Sequence, residues 1–304
     1  ISMLAEVAYQ FAQHSASIAL MVVQQNLACS LLAKASHSTP EGWVALPIYD
    51  STNEWPYQLE VQQQEDVYTL SGTWKSISLL PIAKTLLLPV CNKHNNTISI
   101  AKLDIQPAIR KKHAQNGLKI SSPFAALGLA GAPSSDLTLN RFKIPQDDLA
   151  LYTQEHQTFT TILWSLAEIF TMAIRSGIAE RSYNTAFCYA SERWQGGKII
   201  IEHSLIRKMF SDLYKEKCAL EENWRYFSQV NSIEHPISDG QMGIALASAE
   251  KLPWFTSDGI QLLGGIGYMA DFPQERRYRD AKQCEFLLGH PQAKAFSIWQ
   301  ENAG

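Results

Sequence analysis

The period of the apolar residues changes twice along this 304-residue chain, and no other feature restricts its fold as much. Residues 1 to about 34 repeat at helical spacing, with Leu4, Val7, Ala8 and Phe11 on one stripe. Ser15 or Ser17 is placed to cap a second helix over Ile18–Leu32. A polar linker containing Pro and Gly, Ser36–Trp43, follows. The pattern then shortens to β-type runs at Tyr57–Val61, Val67–Leu70, Thr85–Val90, Thr97–Leu103 and Asp136–Phe142. Turn formers such as Asn92-Lys-His-Asn-Asn96 and Gly131-Ala-Pro133 separate them, the grammar of an antiparallel sandwich or barrel. Ile144-Pro145-Gln-Asp147-Asp148 closes this part with acids suited to the start of a helix. The helical period then returns. Leu163, Leu166, Ile169, Phe170 and Ile174 form one stripe; Leu205, Ile206, Met209, Phe210, Leu213 and Tyr214 form another. Long amphipathic helices with short connections predict an antiparallel bundle, broken near its end by Pro253 and by Gly264-Gly265-Ile-Gly267. The expected fold is α+β: helices in 1–43, an antiparallel β domain in 44–150 and a four-helix bundle in 151–304.

With 46% apolar residues the chain can bury a large core. Its 26 basic and 29 acidic residues nearly balance, so nothing points to a nucleic-acid partner. No apolar run in the sequence reaches the ~20 residues of a membrane span. Cys29, Cys91, Cys188, Cys218 and Cys284 are odd in number and lack CxxC spacing. That pattern predicts neither a disulfide framework nor a zinc site, and favours a reducing, cytoplasmic compartment. The eight histidines form no HExxH or His/Cys cluster, so no metal site is expected. The chain opens at Ile1 within a helical pattern, as if its start were trimmed.

The densest motif is Gln261-Leu-Leu-Gly264-Gly265-Ile-Gly267-Tyr268, followed by Glu275-Arg276-Arg-Tyr278-Arg279-Asp280-Ala281 and a last Gly289. It resembles the C-terminal signature of the acyl-CoA dehydrogenase family of flavoproteins. Four further segments fall in the family's order. Glu6–Leu32 is similar to the last two helices of the family's N-terminal domain, and the helices before them are missing. Leu127-Gly128 and Asp136–Pro145 resemble its last β segment. Gly177 through Glu192-Arg193-Trp-Gln-Gly196-Gly197-Lys198 resembles the helix ending in its ERxxFGK turn. Phe210-Ser-Asp212-Leu213 stands where the family has its LADM helix. The resemblance spans nearly the whole chain.

The resemblance implies FAD, an acyl-CoA thioester as substrate, a role in fatty acid metabolism, and a homodimer or dimer of dimers. Arg193 matches the Arg that reaches the FAD diphosphate across a subunit interface, and a guanidinium fork suits a pyrophosphate. Gln261, Gly264 and Gly265 match the stretch that approaches the dinucleotide. Gln292 matches the Gln after the family's EGT motif, with His290 in place of the Thr. Ile77 and Ser78 match the segment beside the flavin ring, with Ser76 in place of its Trp. The group Glu275, Arg276, Arg279 and Asp280 is expected to be a salt-bridge network holding helices together.

One position departs sharply. The family's catalytic Glu stands directly before the last Gly of the signature, and here that position is Leu288. Dehydrogenating an acyl thioester requires a carboxylate to take the weakly acidic α-proton, and an isobutyl group cannot accept one. A second place where some members keep the base maps to Ala167; Glu168 is its neighbour, one helical step or about 100° away. Three readings follow. The chain acts on a thioester without the usual Glu; or it is a degenerate subunit completing a partner's FAD site, in a homo- or hetero-oligomer; or Glu168 serves as a relocated base.

Overall fold

The computed structural model describes residues 1–34, 41–47, 60–64, 67–92, 97–105, 117–145 and 149–303. Parts of the expected linker at 36–43, of the expected strand at 57–61, and residues 146–148 lie outside them. The chain divides into two compact units. One comprises 1–20, 127–130 and 168–304; the other comprises 21–126 and 131–167. It is an α+β protein whose C-terminal part is helical.

In the second unit, after helix α2 (Ala16–Lys34), come eight strands: β1 (Val44–Ala45), β2 (Glu60–Gln64), β3 (Val67–Ser78), β4 (Thr85–Asn92), β5 (Thr97–Asp104), β6 (Leu118–Ile120), β7 (Ser134–Pro145) and β8 (Leu149–Glu155). They form two four-stranded sheets, ordered β1-β4-β5-β8 and β2-β3-β7-β6. Every pairing is antiparallel except β1 with β4. One core joins both sheets, with Leu70, Trp74 and Leu137 from one and Leu86, Leu88 and Leu103 from the other. Strand β8 replaces the helix start expected after Asp148, so the expected boundary at 150 falls inside a strand. Leu149, Leu151 and Tyr152 pair with the Thr97–Ala101 stretch of β5, and this tertiary pairing overrides the local acidic signal.

The other unit holds α1 (Ser2–Ala12), most of α3 (His156–Glu192), a two-residue hairpin of β9 (Trp194–Gln195) and β10 (Lys198–Ile199), α4 (Ser204–Val230), α5 (Asp239–Leu263), α6 (Gln274–Glu285) and α7 (Pro291–Ala303). Helix α1 buries Ala5, Ala8, Tyr9 and Ala12, while Phe11 stays 43% exposed. Its rotation is set by α4: the Tyr9 and Trp224 rings lie 5.4 Å apart, Arg225 stacks on Trp224, and Glu6 pairs with Arg225 at 2.7 Å. On α4 the buried face is Phe210, Leu213, Leu220, Trp224 and Phe227, so Leu205 and Tyr214 leave the expected stripe and face outward. The bulky Trp224 and Phe227 fix that face. Pro253 does not break α5. The helix starts on a Ser238/Gln241 capping box, runs through the buried Pro253 and stops at Gly264. Packing of Ala245, Leu246, Ala249, Leu252 and Phe255 offsets the hydrogen bond lost at proline.

Helices α2 and α3 each contain a window long and apolar enough to cross a membrane, residues 16–33 and 161–192. The first is half buried and the second 83% buried within the protein, as core helices are. Neither is an uninterrupted apolar run: Gln24-Gln25-Asn26 interrupt the first, and Glu168, Arg175, Glu180 and Arg181 the second.

Candidate functional site

The turn after α6 is closed by Gly289 N–H donating to Phe286 O, with Gly289 at φ +101°, a conformation that favours glycine. Leu287 and Leu288 are both buried, Leu288 to 3% exposure. The Leu288 side chain is therefore part of the core. Its backbone N–H meets no acceptor among the described residues, which leaves a donor of the kind that can polarise a carbonyl oxygen.

Next to this turn lies a buried group of charges of which the sequence singled out only Glu168. Glu168 and Arg175, both on α3, are 1% and 2% exposed and form an ion pair at 2.6 Å. They sit seven residues apart, two helical turns on one face. Arg175 also donates to Ala245 O on α5 at 3.3 Å and to Cys284 O on α6 at 3.1 Å. It thereby ties Glu168 to the helix that leads into Leu288. Lys294, on the first turn of α7, is 6% exposed. Burial pulls its ammonium down to about 8, opposed by Glu168 and reinforced by Arg175. Burial pushes the Cys284 thiol up to about 12, so it is no nucleophile near neutrality.

Glu168 is thus a counter-ion, and protonating it would break its pair with Arg175. The signal for Arg175 was available in the sequence: a lone cation in the apolar run Thr171-Met-Ala-Ile-Arg175, in register with Glu168. Lys294, flanked by alanines, gave no comparable signal.

The other residues expected around a dinucleotide in this unit are exposed. Gly264 ends α5 with φ +61°, and its N–H donates to Gln261 O. Gly265 has no left-handed φ, and a Cβ there would meet nothing within 4 Å. Neither backbone strain nor internal packing calls for glycine at 265. Gln261 and Gln292 face solvent, Gln292 just after the Pro291 that opens α7. Arg193 is exposed at the foot of the hairpin, where its carbonyl accepts from Ile200 N–H; Gly196 and Gly197, at φ +65° and +82°, make the turn. Apart from the Gln261–Gly264 bond, no hydrogen bond links these residues to one another.

In the other unit Ile77 and Ser78 end β3, paired with Ser135 and Ser134 of β7. They are 1% and 5% exposed, and Ser78 O accepts from the buried Gln24 side chain at 3.1 Å. The preceding Ser76 sits in a bulge at φ +55°, its N–H held by Asp136 at 2.9 Å. Of the expected salt-bridge network, Glu275 and Arg279 pair at 2.7 Å, whereas Asp280 accepts Leu129 N–H and Arg276 donates to His14 O. Arg279 also donates to Leu127 O at 3.0 Å, so one of these links is an ion pair and three anchor backbone. A cavity of about 430 Å³ between α4 and α5, lined by Leu213, Leu220, Ile244 and Phe255, contains none of the residues above. Among the described residues no His, Cys, Asp and Glu cluster could hold a metal.

Comparison with known proteins gives a consistent picture. The model of the acyl-CoA dehydrogenase C-terminal domain matches residues 165–295. A cyclohexane-1-carbonyl-CoA dehydrogenase of Geobacter metallireducens is 26% identical over 239 residues, 77% of this chain and 60% of the relative. An acryloyl-CoA reductase (NADH) of Anaerotignum propionicum is 28% identical over 175 residues, 57% of this chain and 44% of the relative. The chain spans about half the length of these curated relatives. The solved butyryl-CoA dehydrogenase from Megasphaera elsdenii shares the fold, with a TM-score of 0.76 at 16% identity over 98% of this chain and 80% of that one.

Proposed function

We propose that this chain, similar to acyl-CoA dehydrogenases and matched over residues 165–295 by the model of their C-terminal domain, binds FAD and an acyl-CoA thioester and acts on the thioester without a carboxylate at position 288. The observation that carries this reading is the Leu288 turn: a buried apolar side chain beside a backbone N–H with no acceptor among the described residues. Binding and polarising a thioester carbonyl needs the N–H; taking the α-proton needs a base. The turn offers the first and lacks the second. Glu168 does not replace it, because Arg175 holds its carboxylate.

The residues that would hold the dinucleotide are Arg193, Gln261, Gly264, Gly265 and Gln292. Their exposure, and a Gly265 that the chain's own packing does not require, support close approach by an outside group. Ile77 and Ser78 would contribute to the flavin-ring wall only through backbone, since their side chains are buried. Bound flavin would supply hydride and electron transfer. Chemistry compatible with such a site is elimination of a leaving group, desulfination or an oxygen-dependent step. Burial holds the Lys294 ammonium down to about 8, with Glu168 and Arg175 within its electrostatic reach. Exposed Trp194, Leu205, Tyr214 and Trp254 support a homo-oligomer. Reduced cysteines, Cys29, Cys188, Cys218 and Cys284 among them, support a cytoplasmic location.

A second reading rests on the same exposed Arg193: a non-catalytic subunit that completes a partner's flavin site. The visible spectrum separates the two. Purified protein that gains flavin absorbance with FAD, and whose spectrum is perturbed by acyl-CoAs, supports the first. A colourless protein that restores flavin binding only when mixed with another family member supports the second.

A further inference from the structure

Arginine is almost never buried without a partner, because the desolvated charge needs an acid or a full set of acceptors. Arg277 on α6 is 9% exposed, and its one hydrogen bond to a side chain runs from Nη1 to the neutral Gln274 Oε1 at 3.0 Å. Its Nε and Nη2 are not sealed inside, yet no acceptor among the described residues meets them. The partner is itself locked: Gln274, fully buried, donates to Ser182 Oγ on α3 and to Thr256 O on α5. Gly259 makes room for that lock, since a Cβ there would come within 2.4 Å of Gln274 Nε2 and 2.6 Å of Ser182 Oγ.

The surrounding charge is mostly positive. Burial first, then Arg181 and Arg276 within electrostatic reach, pull the Arg277 guanidinium down to about 10, opposed by the single acid Asp280. Among the described residues none of the three makes a salt bridge. Of the nearby acids, Asp280 is occupied by Leu129 N–H, and Glu275 gives both oxygens to Arg279. The twelve-residue helix α6 begins here at Pro273 without a side-chain cap, so its first N–H groups add further positive potential.

We propose that the start of α6, with Arg277, Arg276 and Arg181, is a binding site for a phosphate group. Three cations and a helix N-terminus match a dianion better than a single carboxylate. Arg277, oriented by Gln274, offers a two-pronged contact, and the exposed Arg181 and Arg276, the latter held on His14 O through Nη2, add positive charge within electrostatic reach. The site shares no residue with those assigned to FAD. The phosphate is either free or the terminus of a nucleotide-type ester.

The test is thermal unfolding of the full chain, without added FAD, in inorganic phosphate or AMP against sodium chloride at equal ionic strength. Phosphate should raise Tm in a saturable way that chloride does not reproduce. Apparent affinity should fall at least about tenfold in the Arg181→Gln/Arg276→Gln variant, whose changes are on the surface, and the effect should vanish in Arg277→Met. AMP binding about tenfold tighter than phosphate, with the same dependence on these arginines, would assign the site to an ester; equal binding would assign it to the free ion. No specific rise in Tm, or a rise that persists in the double variant, overturns the proposal even if Arg277→Met fails to fold.

Discussion

Two turns of the helical unit make opposite use of their residues. The turn at Leu288 is buried, and its surroundings are bound into a charge network through Arg175. The turn at Gly264 and Gly265 is exposed and satisfies nothing inside the chain beyond its own helix cap. Folding accounts for the residues of the first turn, and it does not call for Gly265 in the second. The contrast places the substitution at position 288 in a buried turn, while the glycine turn stays on the surface.

The contrast can be broken at several points. The largest effect is expected for Glu168→Ala, which leaves Arg175 and Lys294 buried without their carboxylate. A loss of about 3–5 kcal/mol in denaturant unfolding is expected, and a loss below about 1 kcal/mol would show that the group is not a tight network. Lys294→Met should act in the opposite direction. The Lys294 pKa is lowered on folding, from 10.5 to about 8. The ammonium therefore costs stability below about pH 8, and the cost disappears as pH rises toward 10.5. The variant should gain on the order of 3 kcal/mol at pH 7 and little near pH 10, measured by urea titration at both values. Gly264→Ala, at φ +61°, should lose about 1–2 kcal/mol. Gly265→Ala should be neutral or up to about 1 kcal/mol more stable, yet retain FAD less well on gel filtration. Equal FAD retention in both proteins would remove the argument for a dinucleotide at that turn.

Much of this was readable in the sequence, and the misses share a cause. The long strands β4, β5 and β7 and the bundle helices carry their own period, and Gly264 and Gly267 sit where local geometry needs them, whereas Gly265 does not. Strand β8 was not visible, because its pairing with β5 decides its state against an acidic lead-in. The faces of α1 and α4 were misjudged because contacts of Tyr9, Trp224 and Arg225, distant in sequence, set the helix rotation. Pro253 was read by its local rule and overruled by packing. Within the candidate site, Leu288 was visible as a substitution. Lys294 was not, since only the fold brings it within reach of Glu168 and Arg175.

The central claim is that position 288 removes α-proton abstraction and leaves thioester binding in place. Exchange of the α-proton of an acyl-CoA with deuterium oxide, followed by NMR on FAD-loaded protein, reads that step without requiring turnover. The chain as it stands should exchange no faster than buffer, and Leu288→Glu should raise exchange by about 10²–10⁴-fold. Rapid exchange by the unaltered chain, unchanged in Leu288→Glu, would contradict the account.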